Sequence, residues 1–316
     1  MAYGSFKHRI SGIMTSLWNI IQRCLHSSFR TKMFTNSKSV QYYNGPETPF
    51  AEIRKILLRS TGGSIDLVTD DDTGIAIICL NHPDRRNAIS GKMMVDLENA
   101  VRELEGWSKG KGLIIYGADK NFCSGGDLNM ARMFCNPDDG FRMATFMQKV
   151  LQQLESLPLI SVALIEGTGA IGGGSEIAIT SDFRLFTSDT GGIAFVHNRM
   201  GITPAWGGCT RLVRAIGYTK ALDLMSTGRR VYAEEAMKIG LCDGIVSVEN
   251  ALEEVQDWLK VRIRSDVNVL KALKSMAHSA RTMSYEMALN EEKRLFAPLW
   301  GGPANQAALS QHIKHR

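Results

Sequence analysis

The sequence predicts an α/β fold with covered sheets and a helical C-terminal part. Three observations carry that reading. Short apolar runs of strand length alternate with stretches whose apolar residues recur every three or four positions, two of the runs lead to glycine-rich turns, and beyond about residue 219 the pattern turns largely helical.

Ile75, Ile77 and Cys79 alternate with other residues up to Asn81-His82-Pro83, which reads as a strand leading into a turn. Met93, Leu97, Ala100, Val101 and Leu104 then recur at helical spacing, with Ser90 as the N-cap. Leu113 to Tyr116 is the next strand and ends near the first glycine turn, Phe122-Cys123-Ser124-Gly125-Gly126-Asp127. Met143, Met147, Val150, Leu154 and Leu157 mark a second helix, which Pro158 ends. Leu159 to Ile165 is a strand running to Glu166-Gly167, and the second turn, Ile171-Gly172-Gly173-Gly174-Ser175-Glu176, opens a helix through Ile177 and Ile179. In the C-terminal part Leu252, Val255, Leu259 and Ile263 form one stripe, and Leu270, Leu273 and Met276 another.

Glycines clustered at strand exits let main-chain N–H groups approach a ligand, and a helix starting at the second turn aims its positive end there. Two converging amides make an anion hole. Asp127 reads as a cap for its loop. Glu176, in the first turn of its helix, suits either chemistry or the helix dipole. Arg85 and Arg86 suit either phosphate contact or a solvated turn, and Trp206 either lines a pocket or packs.

Length and composition bound the rest. The chain has 316 residues, 44% hydrophobic and 22% charged, as in an ordinary globular protein. Its net charge of +5 is concentrated at the start, where residues 1–46 hold six Lys or Arg and no acid. The remaining body is close to neutral, and no basic stripe with interleaved aromatics argues for nucleic acid. The basic start, with a loosely amphipathic stretch over 10–25, reads as a mitochondrial targeting segment or a solvated tail. Six scattered cysteines have no metal-ligand spacing and read as reduced thiols. No apolar run reaches the roughly 18 residues that span a bilayer, so neither a metal site nor a membrane segment is expected. The expected organisation is a segment over 1–50, an α/β core over 51–250 and a helical part over 251–316.

The order His82-Pro83-Asp84-Arg85-Arg86-Asn87-Ala88, the first glycine turn, the second, Ser181-Asp182-Phe183-Arg184, and Met200-Gly201-Ile202-Thr203-Pro204-Ala205-Trp206-Gly207-Gly208 resembles the enoyl-CoA hydratase/isomerase (crotonase) superfamily. The resemblance covers about residues 62–300. It implies a spiral of ββα units with C-terminal trimerisation helices, and trimers often stacked as hexamers. It places Gly126 and Gly173 as the two oxyanion amides for an acyl-CoA thioester. Ser124 and Gly125 fall where the family's loop passes the CoA adenine, and Arg86 matches a basic residue some members aim at CoA phosphates. Glu176 matches the first of two catalytic glutamates of the hydratases, and His197 stands in place of the second. CoA enters as part of the substrate, and no separate cofactor is implied.

Within the superfamily, Gly62 to Leu67, Phe195-Val196-His197 and Leu299 to Asn305 look like a decarboxylating branch acting on ethylmalonyl-CoA. That likeness implies conversion of ethylmalonyl-CoA to butyryl-CoA, and of methylmalonyl-CoA to propionyl-CoA, as metabolite clearance. Loss of CO₂ leaves a thioester enolate whose charge two amides can hold, and Glu176 and His197 are the candidates for protonating its α-carbon. Trp300 is a candidate to close the acyl pocket. The alternatives are an enoyl-CoA hydratase or isomerase and, more distantly, a non-catalytic acyl-CoA- or RNA-binding scaffold. The resemblance implies the cytosol, whereas the acid-free N-terminus points to the mitochondrial matrix.

Overall fold

The computed structural model describes residues 42–311. The basic start and its expected helix over 10–25 lie outside the described residues. A short helix, α1 (Phe50–Leu57), precedes a hairpin of β1 (Ser64–Asp70) and β2 (Ile75–Asn81), with Ser64 opposite Asn81 and Asp70 opposite Ile75. The connection is shaped by Asp70, whose carboxylate accepts the Asp72 N–H at 2.9 Å and the Thr73 hydroxyl at 2.8 Å.

From β2 onward the sheet is parallel. The order is β1-β2-β3-β4-β6-β8, with β3 at Gly112–Gly117, β4 at Ile160–Ile165, β6 at Phe183–Thr187 and β8 at Gly244–Val246. Parallel neighbours need crossovers, which α2 (Gly91–Glu105) and α4 (Pro137–Ser156) supply in the first half. The Ser90 hydroxyl caps α2 by accepting the Met93 N–H at 3.1 Å, as the sequence leads one to expect.

Both faces of the sheet are covered. On one, Ala76, Ile78, Leu80, Leu113, Ile115, Ala163 and Ile165 pack with Met93, Leu97, Val150 and Leu154 of the crossover helices. On the other, Ile75, Ile114, Val162, Leu164 and Leu185 meet Val255 and Leu259 of α9 (Ala251–Arg262). In β2 the alternating set noticed in the sequence is split, with Ile75 buried and Ile77 and Cys79 half-buried, while Ala76, Ile78 and Leu80 are fully enclosed. A strand covered on both sides carries apolar residues on both, so alternation alone does not select the main core.

A second, two-stranded parallel sheet joins β5 (Ala170–Ile171) and β7 (Ile193–Ala194). Here α5 (Gly173–Ala178) starts immediately, and α3 (Leu128–Met133) follows the first glycine turn. The expected passage of α5 through Ile179 stops at Ala178, and Ile179 is the C-cap.

The C-terminal part is helical, as expected, through α6 (Gly208–Ile216), α7 (Tyr218–Thr227), α8 (Ala233–Ile239), α9, α10 (Val267–Thr282), α11 (Tyr285–Phe296) and α12 (Pro303–Ser310). The exception is β8, too short to show any period, which is placed by Arg184: its N–H donates to the Asp243 carboxylate at 2.8 Å and its Nε to the Leu241 carbonyl at 2.9 Å. In α10 the expected stripe is interrupted, since Leu273 is 54% exposed while Lys274 is buried. The physical reason is an ion pair. Lys274 Nζ pairs with Asp182, whose other carboxylate oxygen accepts the Ser161 N–H at 2.8 Å, so α10 turns a charged residue inward.

From Gly45 onward the chain clusters as one unit. Trp300 is 73% exposed, with its ring 5.4 Å from that of Phe296. It stands largely in solvent on this chain. Among the described residues no helix is long and apolar enough to cross a membrane.

Candidate active site

The first glycine turn is stitched on two sides. On one lies the turn after β2, where Arg86 and Asn87 take positive φ of 50° and 56°. Asparagine tolerates that conformation, and buried Asn87 exploits it. Its Oδ1 accepts the His82 N–H at 2.8 Å, and its Nδ2 donates to the carbonyls of Ala118 and Asn121 at 2.8 and 2.5 Å. The carbonyls of Arg85 and Arg86 are thereby presented to Ser124, whose hydroxyl and N–H donate to them at 2.9 and 3.0 Å. On the other side, Cys123 donates its N–H to Gly169 and accepts that of Ile171, at 3.2 and 2.9 Å.

This stitching decides where the Gly126 amide points. Ile89 forms a parallel bridge with Gly126, using the Gly125 carbonyl at 2.8 Å and the Asp127 N–H at 2.9 Å. In such a bridge the central residue's own N–H turns away from its partner. No main-chain acceptor among the described residues takes it. Asp127 is spent on capping α3, accepting the N–H groups of Asn129 and Met130 at 2.7 and 3.0 Å, as the sequence suggests.

The second amide comes from the turn between β5 and α5. Gly172 has φ 55° and ψ −121°, a conformation open in practice only to glycine, and its N–H is held by Ala194 at 2.9 Å. Gly173 is the first helical residue, so its N–H has no partner within α5 and no main-chain acceptor elsewhere among the described residues. The two turns are close: a methyl group added at Gly125 would stand 3.4 Å from the Gly173 nitrogen. With six residues, α5 is too short for its dipole to matter much, and the local amides carry the positive potential.

Below this pair lies Glu176, 1% exposed, beside His197, 7% exposed. Glu176 Oε1 receives His197 Nε2 at 3.0 Å and the Ala205 N–H at 3.3 Å; Oε2 receives the N–H groups of Trp206 and Gly208 at 2.8 and 2.7 Å. Four donors occupy the four lone-pair sites of one carboxylate. His197 Nδ1 is buried and has no hydrogen-bond partner among the described residues. Trp206 is buried, and its ring fills the space beside Gly173, where an added methyl group would come within 2.5 Å of it. The indole therefore packs against the very residue that supplies the second amide.

Behind the 205–208 turn, Arg211 donates to the Trp206 carbonyl at 3.0 Å and to Glu155 at 2.9 Å, and Glu155 also meets Arg281 of α10. Burial pulls the Arg211 guanidinium below its usual value, and the Glu176 charge acts against that pull. Cys123 lies next to the amides, but burial pushes its thiol up to about 12, so it is no nucleophile at neutral pH.

Of the residues singled out from sequence, Gly125, Gly126, Gly173, Glu176 and His197 fall in this region. The Ser124 hydroxyl is committed to Arg85, and the Arg86 side chain is exposed at the rim of its turn. Sequence reading missed Asn87, Arg211 and Glu155, and the three amides that hold Glu176. An asparagine after two arginines carried a faint signal for a left-handed turn; the others carried none, because their roles come from pairing across 29 to 56 positions.

Residues 70–304 match the enoyl-CoA hydratase/isomerase family. The chain belongs to that family. Its relatives in the enoyl-CoA hydratase/isomerase family include ethylmalonyl-CoA decarboxylase of Xenopus laevis, 42% identical over 99% of this chain and 100% of that protein. The ethylmalonyl-CoA decarboxylase of Homo sapiens is 42% identical over 91% of this chain and 94% of its own length. Among solved structures, enoyl-CoA hydratase from Thermoplasma volcanium GSS1 superposes with a TM-score of 0.71 at 27% identity, covering 79% of this chain and 97% of that one. Members of the hydratase/isomerase family act on acyl-CoA thioesters and are commonly oligomeric.

Proposed function

We propose that this hydratase/isomerase-family chain decarboxylates short branched malonyl-CoA thioesters, converting ethylmalonyl-CoA to butyryl-CoA and methylmalonyl-CoA to propionyl-CoA. The observation that carries the reading is the pair of N–H groups of Gly126 and Gly173, both without a main-chain acceptor among the described residues, in two turns in contact with one another. The curated relatives in Xenopus laevis and Homo sapiens carry the name of that activity.

The chemistry follows from where charge develops. When a carboxylate bonded to the α-carbon leaves as CO₂, its electron pair passes into the thioester and gathers on oxygen. Two fixed amides hold that oxyanion without reorganising, and each such donor lowers a barrier by roughly 2.7 to 4 kcal/mol. No base has to remove a carbon-bound proton, and no metal or organic cofactor is required. Protonation of the α-carbon completes the turnover.

Hydration is the weaker reading. It needs groups free to hold a water and deliver its proton, and all four lone-pair sites of Glu176 face donors. Ser124, Gly125 and Arg86 form the rim assigned to CoA, with Arg86 available to its phosphates. The exposed apolar residues of α11, of α12 and of the turn between them, Met287, Phe296, Trp300 and Leu309 among them, support assembly as a homotrimer or hexamer. The cytosol is the proposed location, with the mitochondrial matrix as the alternative that the acid-free residues 1–46 raise.

The test is CO₂ release from malonyl-, methylmalonyl- and ethylmalonyl-CoA beside hydration of crotonyl-CoA. Ethylmalonyl-CoA is expected to turn over fastest, with little loss of the enoyl absorbance. Rapid hydration without CO₂ release would overturn the proposal. A fluorescent reporter fused to residues 1–46 tests the location.

A further inference from the structure

We infer that Glu176 and His197 divide the final step unequally: Nδ1 of His197 delivers the proton to the α-carbon, and Glu176 is a positioning residue that never exchanges one with substrate. This rests on the decarboxylase reading and goes further, to the donor atom.

Glu176 is excluded as donor by its contacts. Both oxygens face N–H groups, three from the main chain of the 205–208 turn and one from the imidazole. A protonated carboxyl would have to turn its O–H against one of these donors. The three main-chain amides are fixed by the fold, and Arg211 holds the turn from behind through the Trp206 carbonyl. What remains for Glu176 is to accept from His197 Nε2, which fixes the ring's orientation and leaves Nδ1 as the nitrogen able to exchange a proton with substrate.

His197 has the opposite character. With Nε2 committed, Nδ1 is a buried polar atom lacking any partner among the described residues, a state proteins avoid unless a ligand completes it. The segment that carries it lies against the oxyanion turn. Ala194 accepts the Gly172 N–H at 2.9 Å, and a methyl group on Gly172 would stand 3.7 Å from Val196 Cγ2. The α-carbon of a bound thioester is one bond from the carbonyl whose oxygen the Gly126 and Gly173 amides would take, so its proton has to come from this neighbourhood.

The step balances. Breaking the α-carbon–carboxylate bond releases CO₂ and leaves an electron pair in the enolate. The enolate takes the proton carried on Nδ1, so that the α C–H bond forms as the N–H bond breaks and its electron pair stays on Nδ1. Solvent returns one proton to Nδ1. The sum is one substrate carboxylate and one proton consumed for one CO₂ and one acyl-CoA.

The full-length protein is assayed for CO₂ release from ethylmalonyl-CoA, with butyryl-CoA affinity measured alongside as a check on binding. His197→Gln is expected to lose on the order of 10²-fold or more in kcat, with butyryl-CoA binding within about threefold of the wild type. His197→Gly is expected to be equally slow and to recover turnover in proportion to added imidazole. A kcat in His197→Gln near that of the wild type, or a folded His197→Gly that imidazole does not restore, overturns the assignment. Absence of CO₂ release from the wild type, with butyryl-CoA still bound, instead overturns the decarboxylase reading on which it rests.

Discussion

The main-chain N–H of Gly208 donates to Glu176 Oε2 over 2.7 Å, and the place where a Cβ would stand at position 208 is already occupied by the same side chain, 2.5 Å from its Cγ. The acid and the glycine are thus fitted to each other. Gly208→Ala should push the carboxylate out of its ring of donors and rotate His197 with it. The expected result is a loss of kcat on the order of 10²-fold, with the KM for the thioester changed far less. Steady-state CO₂ release measures it, and an unchanged kcat counts against the coupling.

The two oxyanion glycines should respond differently to the same substitution. A methyl group at Gly126 meets nothing nearer than Met130 Cε at 3.8 Å, whereas one at Gly173 runs into the Trp206 ring at 2.5 Å. Both variants keep their N–H groups. Gly126→Ala should therefore fold with an unchanged Tm, while Gly173→Ala should lose about 1–3 kcal/mol through overpacking. Thermal melts of the two variants side by side check the contrast.

Asp127 should matter for stability ahead of chemistry. Its Oδ1 caps α3 by accepting two N–H groups, at 2.7 and 3.0 Å. Asp127→Ala should cost about 1 kcal/mol, and Asp127→Asn should restore most of it. Denaturant titrations of the three proteins measure the difference.

Glu166, just after β4, makes stability depend on pH in a defined direction. Burial pushes its carboxyl up to about 7, with Lys120 opposing that shift and Asp189 adding to it. The unfolded carboxyl ionises near its ordinary value of 4.5, well before the folded one. Between that value and about 7 the unfolded state therefore binds fewer protons, and stability contributed by this group falls as pH rises. Glu166→Gln should remove that fall and melt higher than the wild type at pH ~8. Melting curves at pH ~4.5 and ~8 decide it, and a variant no more stable than the wild type at the higher pH sinks the idea.

Much of the fold was legible because it depends on local pattern. The helix after Ser90, the strands at Leu113 and Leu159 and the two glycine turns each announce themselves within a dozen residues. Other elements stayed silent. β8 spans Gly244–Val246 and exists because Leu185 of β6 lies opposite Gly244, a pairing across 59 positions. The inward turn of Lys274 on α10 likewise follows from Asp182, 92 residues away. Local periodicity carries no trace of either.

The candidate site divides along the same line. Residue order alone determined which glycines end the turns, which acid opens the helix after the second, and that a histidine stands at 197, since these are matters of spacing along the chain. Which atoms are left free is another matter. That the Gly126 N–H is turned away by the Ile89 bridge, that Glu176 is filled by amides from 205–208, and that His197 keeps an Nδ1 unpaired among the described residues all arise from hydrogen bonds between segments far apart in sequence. A hydrogen bond needs its partner within about 3 Å in space, and only the folded chain decides who those partners are.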